Sequence, residues 1–368
     1  MKDKTKQNYW DLLPVILIIG VLPLVAGGQK VSVSLGKYAW FPDGDYQYDF
    51  FMHAKSIVFL ILVIWMLIVL IDRLLIRRIQ IKNWKYFIPL YLYIVLVFLS
   101  TMLSVDKTLS LKGMWQQYES VWVLAGYVVT VFYCAQVIEN ISDIKVLCAA
   151  LAVGAFLQGM IGLSQFIGKD FFSSGIGKML MTTGSGTDGA AMQFQFSDSG
   201  SAVYMASYNP NYAAVYIIML LPLILVMVCI AKKIINRILC VLLSMILLIC
   251  LYGSGSKTGF LVMGILIIIA LISAQFMRGT TAMKRLFAML IGLVLVVGGV
   301  AGYDIAKNHA LSDALKKSVQ KQTYNLEAIE TDEDGVTLCY AGNTFKLIPE
   351  IIQAGQMLTA VENEDAHM

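Results

Sequence analysis

The stretch Ser207-Tyr208-Asn209-Pro210-Asn211-Tyr212 runs straight into Ala213-Ala214-Val215-Tyr216-Ile217-Ile218-Met219-Leu220-Leu221-Pro222. A polar, turn-forming cluster stands on the lip of an apolar helix long enough to cross a membrane, which takes about 20 mostly apolar residues. Amides on such a lip are costly unless paired, either with backbone or with a ligand at the membrane surface. Asn is a good N-cap and Pro suits the first helical turn, so helix capping accounts for Asn209 and Pro210. Capping explains Asn211 less well, which leaves it as a candidate contact.

Working outward, apolar runs of this kind recur along the chain. Of 368 residues, 58% are hydrophobic and 14% charged, where soluble domains carry about 25% charged residues. Mean hydropathy is +0.72. Nine spans are expected, at about residues 11–27, 55–72, 87–104, 121–138, 145–167, 210–231, 238–253, 259–276 and 286–303. Lys2, Lys4 and Lys6 ahead of the first run also suit a signal peptide. No small-x-small cleavage site follows and eight more spans come later, which favours a retained span.

Lys and Arg in the loops set the orientation. With the N-terminus inside, all six arginines (Arg73, Arg77, Arg78, Arg237, Arg278 and Arg285) are cytoplasmic, and the run from Arg73 to Lys85 is the strongest anchor. The expected fold is an all-α polytopic membrane protein with about nine transmembrane helices and the N-terminus inside. Residues 1–303 form its transmembrane domain. Residues 304–368 form a small C-terminal extracytoplasmic α+β segment. Within that tail, Leu311, Leu315 and Val319 share one helical stripe. Residues 324–348 read as a β-meander with turns at Asp334-Gly335 and Gly342-Asn343. From Asp304 onward eleven acids face five lysines, so the basic excess lies in the rest of the chain. That excess suits anionic lipid on the cytoplasmic side. No binding motif or aromatic-basic interleaving points to nucleic acid.

The outer connections are longer and richer than the inner ones. Residues 28–54 hold Trp40, Tyr46, Tyr48, Phe50 and Phe51, which suit the headgroup zone. Residues 105–120 hold Lys112, Trp115, Tyr118 and Glu119. Trp and Tyr there suit either an interfacial belt or a sugar platform, and Glu119 could orient or deprotonate an acceptor hydroxyl. The Gly/Ser/Thr-rich loop at 168–209 is the third. Gly253-Ser254-Gly255-Ser256-Lys257-Thr258 looks like a phosphate loop, but Leu251 and Ser256 stand where its glycines belong and no strand precedes it. It reads as a tight turn, or as backbone amides, hydroxyls and one cation able to hold a diphosphate at the membrane mouth. His53, His309 and His367 are far apart, and no Cys-x-x-Cys occurs, so no metal site is suggested. No Asp, Glu, Lys or Arg falls mid-span, which weakens a proton-driven pump.

Asn209-Pro210-Asn211-Tyr212-Ala213-Ala214 followed by Leu221-Pro222-Leu223 resembles a stretch of the O-antigen ligase and O-antigen polymerase superfamily. In that family the next outer turn reads Ser-Arg-Gly, and Ser256-Lys257-Thr258-Gly259 is similar, with Lys for Arg. Trp40, Tyr48-Asp49-Phe50-Phe51 and Lys55 resemble it too, as do Ser104-Val105-Asp106 and Ser110-Leu111-Lys112-Gly113. The resemblance spans residues 1–303. It implies glycan transfer or polymerisation at the outer face of the bacterial cytoplasmic membrane. The donor is polyprenyl-diphosphate-linked oligosaccharide, and the acceptor a glycan or lipid. It implies no cofactor. Lys257, Ser256 and Lys112 would hold the donor diphosphate; Trp115, Glu119 and Asn211 would touch glycan or acceptor; Asn209 and Pro210 would cap the helix. The family also carries a later outer loop with a His and an Arg, which nothing here matches. That departure implies a chain cut short of its catalytic loop, or a non-catalytic relative that binds or translocates lipid-linked glycan.

Overall fold

The computed structural model describes residues 9–32, 46–114, 116–182, 203–207 and 209–276, and the backbone of strands at 326–332, 335–340, 343–352 and 355–361. The expected ninth span at 286–303 and the tail helix lie outside these residues. So do Trp40, Trp115, Tyr208, His309 and half of the loop at 168–209. The chain divides into two compact units, Met1–Val31 with Tyr48–Leu311, and Ser32–Gln47 with Ser312–Met368.

The first unit is helical: α1 (Tyr9–Gly20), α2 (Met52–Ile71), α3 (Ile88–Leu103), α4 (Lys107–Lys112), α5 (Val121–Val137), α6 (Ile141–Phe166), α7 (Gly175–Thr182), α8 (Pro210–Ile230), α9 (Ile234–Ser254) and α10 (Lys257–Phe276). Among the described residues, five helical stretches are long and apolar enough to cross a membrane: Met52–Ile76, Trp84–Leu103, Ile141–Phe166, Pro210–Ile230 and Ile234–Ser254. Tyr9–Leu24, Val121–Val137 and Lys257–Ile269 are shorter apolar helices. Two short strands, β1 (Gln29–Ser32) and β2 (Tyr46–Asp49), pair ahead of α2. In the tail, β3 (Leu326–Asp332), β4 (Gly335–Tyr340), β5 (Asn343–Ile352) and β6 (Gly355–Val361) pair antiparallel in sequence order. A fourth strand thus follows the three that the alternation around Val336, Leu338 and Tyr340 suggests.

Polar side chains mark the helix starts. Ser120 accepts from Val123 N ahead of α5, and Asp106 accepts from Leu109 N ahead of α4. Asp143 reaches back to accept from Asn140 N at 2.9 Å. Each satisfies a backbone donor that the helix itself cannot.

Packing follows membrane rules, where small residues let backbones approach. A Cβ added at Gly154 of α6 would stand 2.6 Å from the Gly20 carbonyl oxygen of α1. Any side chain there would force the two helices apart. One core joins α6, α8, α9 and α10 through Ala155, Ile217, Leu221, Leu247, Leu251 and Met263. A second joins α1, α2 and α5 through Leu12, Met66 and Tyr133. α3 lies on the outside, touching α5 through Phe98 and Trp122.

One end of the bundle is closed by charge. A π-helical turn over Asp72–Ile76 ends the α2 rod. Arg73 donates from Nη1 to Asp11 Oδ2 at 2.8 Å, and from Nη2 to Glu139 Oε1 at 3.0 Å and to the Gln136 carbonyl at 3.1 Å. Arg77 grips both Asp11 oxygens, at 2.8 and 3.0 Å. Tyr133 donates to the Asp11 carbonyl. The Arg73–Lys85 run is therefore split in role. Arg73 is buried inside the bundle, paired with acids from two other parts of the chain, and is not a free lipid-facing charge.

The Lys82 ammonium, then Arg73, hold the Glu139 carboxyl below its ordinary value. A depressed carboxyl stabilises the fold above its unfolded pKa and loses that contribution as pH falls through the folded one. Thermal melting of the parent is thus expected to drop on acidification below the ordinary carboxylate range. In Glu139→Gln the part of that drop due to Glu139 disappears. Identical acid profiles would remove the assignment.

Candidate functional site

The opposite end of the bundle is polar without being fully ion-paired. It gathers the starts of α2, α5, α8 and α10 and the ends of α6 and α9. At its centre Val203-Tyr204-Met205-Ala206 is buried although not helical. Backbone of that kind in an apolar interior must have every N–H and C=O paired by its surroundings. α6 provides two partners seven residues apart, two turns along one face. Gln165 Oε1 accepts from Tyr204 N at 3.1 Å and Met205 N at 2.6 Å, while its Nε2 donates to the Met205 carbonyl at 3.0 Å. Gln158 Oε1 accepts from Ala206 N at 3.1 Å, and its Nε2 donates to the Pro23 carbonyl. Lys55 of α2 donates to the Ala206 carbonyl. Val203 N donates to the Gly253 carbonyl at the end of α9. Met205 sits at φ 53, a left-handed conformation that a non-glycine side chain adopts at a cost. Gln165 holds both its N–H and its C=O there.

Around this segment stand acids, rings and one cation. Tyr204 donates its phenol to Asp170 Oδ2, and burial and that bond raise its pKa. Phe51 meets the Phe172 ring at 5.1 Å and the Tyr204 ring at 6.1 Å. Lys55 Nζ lies 5.6 Å above the Phe51 ring. Asp49 Oδ1 accepts from Phe51 N at 3.1 Å and His53 N at 2.7 Å, fastening the start of α2. Its carboxyl lies above the ordinary value because burial outweighs those two donors. The His53 and Tyr118 rings meet edge to face at 5.0 Å. Burial, then the Asp49 charge, raises the Tyr118 phenol. A carboxylate, an imidazole, a phenol and an ammonium thus converge where α2 begins. Such a set can hydrogen-bond a polar ligand or exchange a proton with it. Among the described residues no group of three His, Cys, Asp or Glu could hold a metal ion.

The residues expected from the sequence divide between two neighbourhoods. Asn209 accepts from Asn211 N at 2.8 Å and Pro210 opens α8, which is the capping geometry. The Asn211 side chain is exposed. Gly255 ends α9 at φ 61, and Ser256 Oγ accepts from Gly259 N at 3.2 Å to cap α10. The Ser256 hydroxyl is buried in that turn, whereas Lys257 beside it is exposed. α8 and α10 start side by side, since a Cβ on Gly259 would stand 3.1 Å from Ala214. Lys257 and Asn211 therefore share one neighbourhood. Lys112 is exposed on α4, whose neighbours are α3 and α5. Glu119 is exposed too, within electrostatic reach of Tyr127 on α5. Trp115 lies outside the described residues. Sequence reasoning missed Gln158 and Gln165, having searched the spans for formal charge alone. Two amides on one face of a long apolar helix were the available signal.

An apolar helical bundle with polar ends defines the class: a multi-pass membrane protein. No protein-family model, no curated protein and no solved structure matches the chain.

Proposed function

We propose that this chain handles polyprenyl-diphosphate-linked glycan at the outer face of the bacterial cytoplasmic membrane, in transfer or polymerisation of cell-surface saccharide. In this reading nine spans, with the N-terminus inside, put the Asp49 end outward. The observation that carries it is the exposed Lys257 at the start of α10, with Asn211 at the adjacent start of α8. Helix N-termini favour anions, and a cation beside two of them suits a lipid diphosphate. Lys gives a point charge where the resembling family has the fork of an arginine. A non-catalytic binding or translocating role is the second reading.

Binding of undecaprenyl diphosphate to the purified chain tests the proposal. Lys257→Ala is expected to weaken it about tenfold or more, the usual worth of a charge-assisted contact. Unchanged affinity would remove the diphosphate site.

A further inference from the structure

At the start of α2 three buried polar atoms lack a full set of partners: Asp49 Oδ2 and His53 Nδ1 meet none, and the Tyr118 hydroxyl has only the Gln116 backbone beside it. Asp49 is 1% exposed and Tyr118 4%. Buried polar atoms are nearly always hydrogen-bonded, so three together in one place require a reason. They form one group, because the His53 and Tyr118 rings touch and the Asp49 charge acts on both. The backbone that brings Tyr118 here is strained. Gln116 has φ 72 and Tyr118 φ 53, and a Cβ on Gly113 would stand 2.7 Å from Tyr118 Cα. Non-glycine residues held in this region cluster at ligand clamps.

The donor and acceptor types select the guest. The Asp49 carboxylate only accepts, the phenol donates, and the imidazole nitrogen does either. An anion is repelled by Asp49. A hard cation wants six or more oxygens, and this group offers two. A neutral group that both donates and accepts fits. A hydroxyl can donate to Asp49 Oδ2 while accepting from Tyr118, and a second, vicinal hydroxyl reaches His53 Nδ1.

We infer that Asp49, His53 and Tyr118 form a saccharide site that takes a vicinal diol of the glycan on the lipid-linked donor. This rests on the proposed function and adds a sugar contact to the diphosphate contact at Lys257.

Two probes separate the contacts: undecaprenyl diphosphate, and undecaprenyl-diphosphate-linked N-acetylglucosamine, whose 3- and 4-hydroxyls are vicinal. The sugar is expected to tighten binding to the parent chain about tenfold. Tyr118→Phe and Asp49→Asn should each abolish most of that gain while leaving undecaprenyl diphosphate affinity unchanged. Lys257→Ala should weaken both probes and keep their ratio. Tyr118→Phe keeps the ring, so it carries the test if Asp49→Asn unsettles the start of α2. A parent that binds both probes equally, or variants that keep the sugar-dependent gain, overturn the saccharide site alone. A parent that binds neither probe overturns the proposed function and the site together.

Discussion

Asp11→Ala is expected to destabilise the folded chain by about 3–5 kcal/mol, the usual result of breaking a buried ion pair from one side. Asp11 is held by Arg73 and Arg77 together, and its side chain is 4% exposed. Truncation leaves the Arg73 guanidinium buried with only Glu139 and the Gln136 carbonyl, so the lower part of the range is the better guide. Lys82→Ala makes the control. Its bond to Glu139 has a similar length, 2.9 Å, but lies between exposed side chains, where a pair contributes about 0–1 kcal/mol. Detergent melting curves of the two variants should therefore separate widely. Equal melting temperatures would mean that the Asp11 cluster does not hold α1 to α2.

The second large effect is expected for Gln165→Leu, which keeps volume and removes both polar ends of the side chain. The N–H groups of Tyr204 and Met205 and the Met205 carbonyl lose their partner inside the bundle. Each stranded buried group costs about 1–3 kcal/mol, and the three together come to roughly 3–9 kcal/mol. Most single substitutions cost about 0.5–3 kcal/mol. Amide hydrogen exchange at Tyr204 and Met205 should accelerate before the rest of the bundle opens. Slow exchange there in the variant would show that the backbone finds other partners.

The helical part of this architecture was legible because hydropathy is a local property. Val121–Val137 and Pro210–Ile230 coincide with apolar runs that need no partner to be seen. Asn209 and Ser256 were legible as turn residues for the same reason, their partners lying two and three residues away. The polar ends were not legible, because their pairings are long-range. Arg73 meets Asp11 across 62 residues, and Gln158 meets Ala206 across 48. Nothing near Arg73 in the sequence distinguishes it from Arg78, yet only the former is buried. Asp49 and His53 lie in the aromatic-rich stretch at residues 28–54. Only the approach of Tyr118, from a different loop, makes them a group.

The buried Val203–Ala206 segment also imposes an order on how the chain is made. Lys55 precedes its acceptor at Ala206 by 151 residues, and Gln158 and Gln165 are synthesised before the amides they receive. Helices α2 and α6 must therefore enter the bilayer with these groups satisfied by water or lipid headgroups. They trade those partners only once the segment ahead of α8 has emerged. Insertion of the early helices and closure of the polar end are consequently separate events. A ribosome stalled before Val203 would leave a bundle already threaded through the membrane and still open at that end.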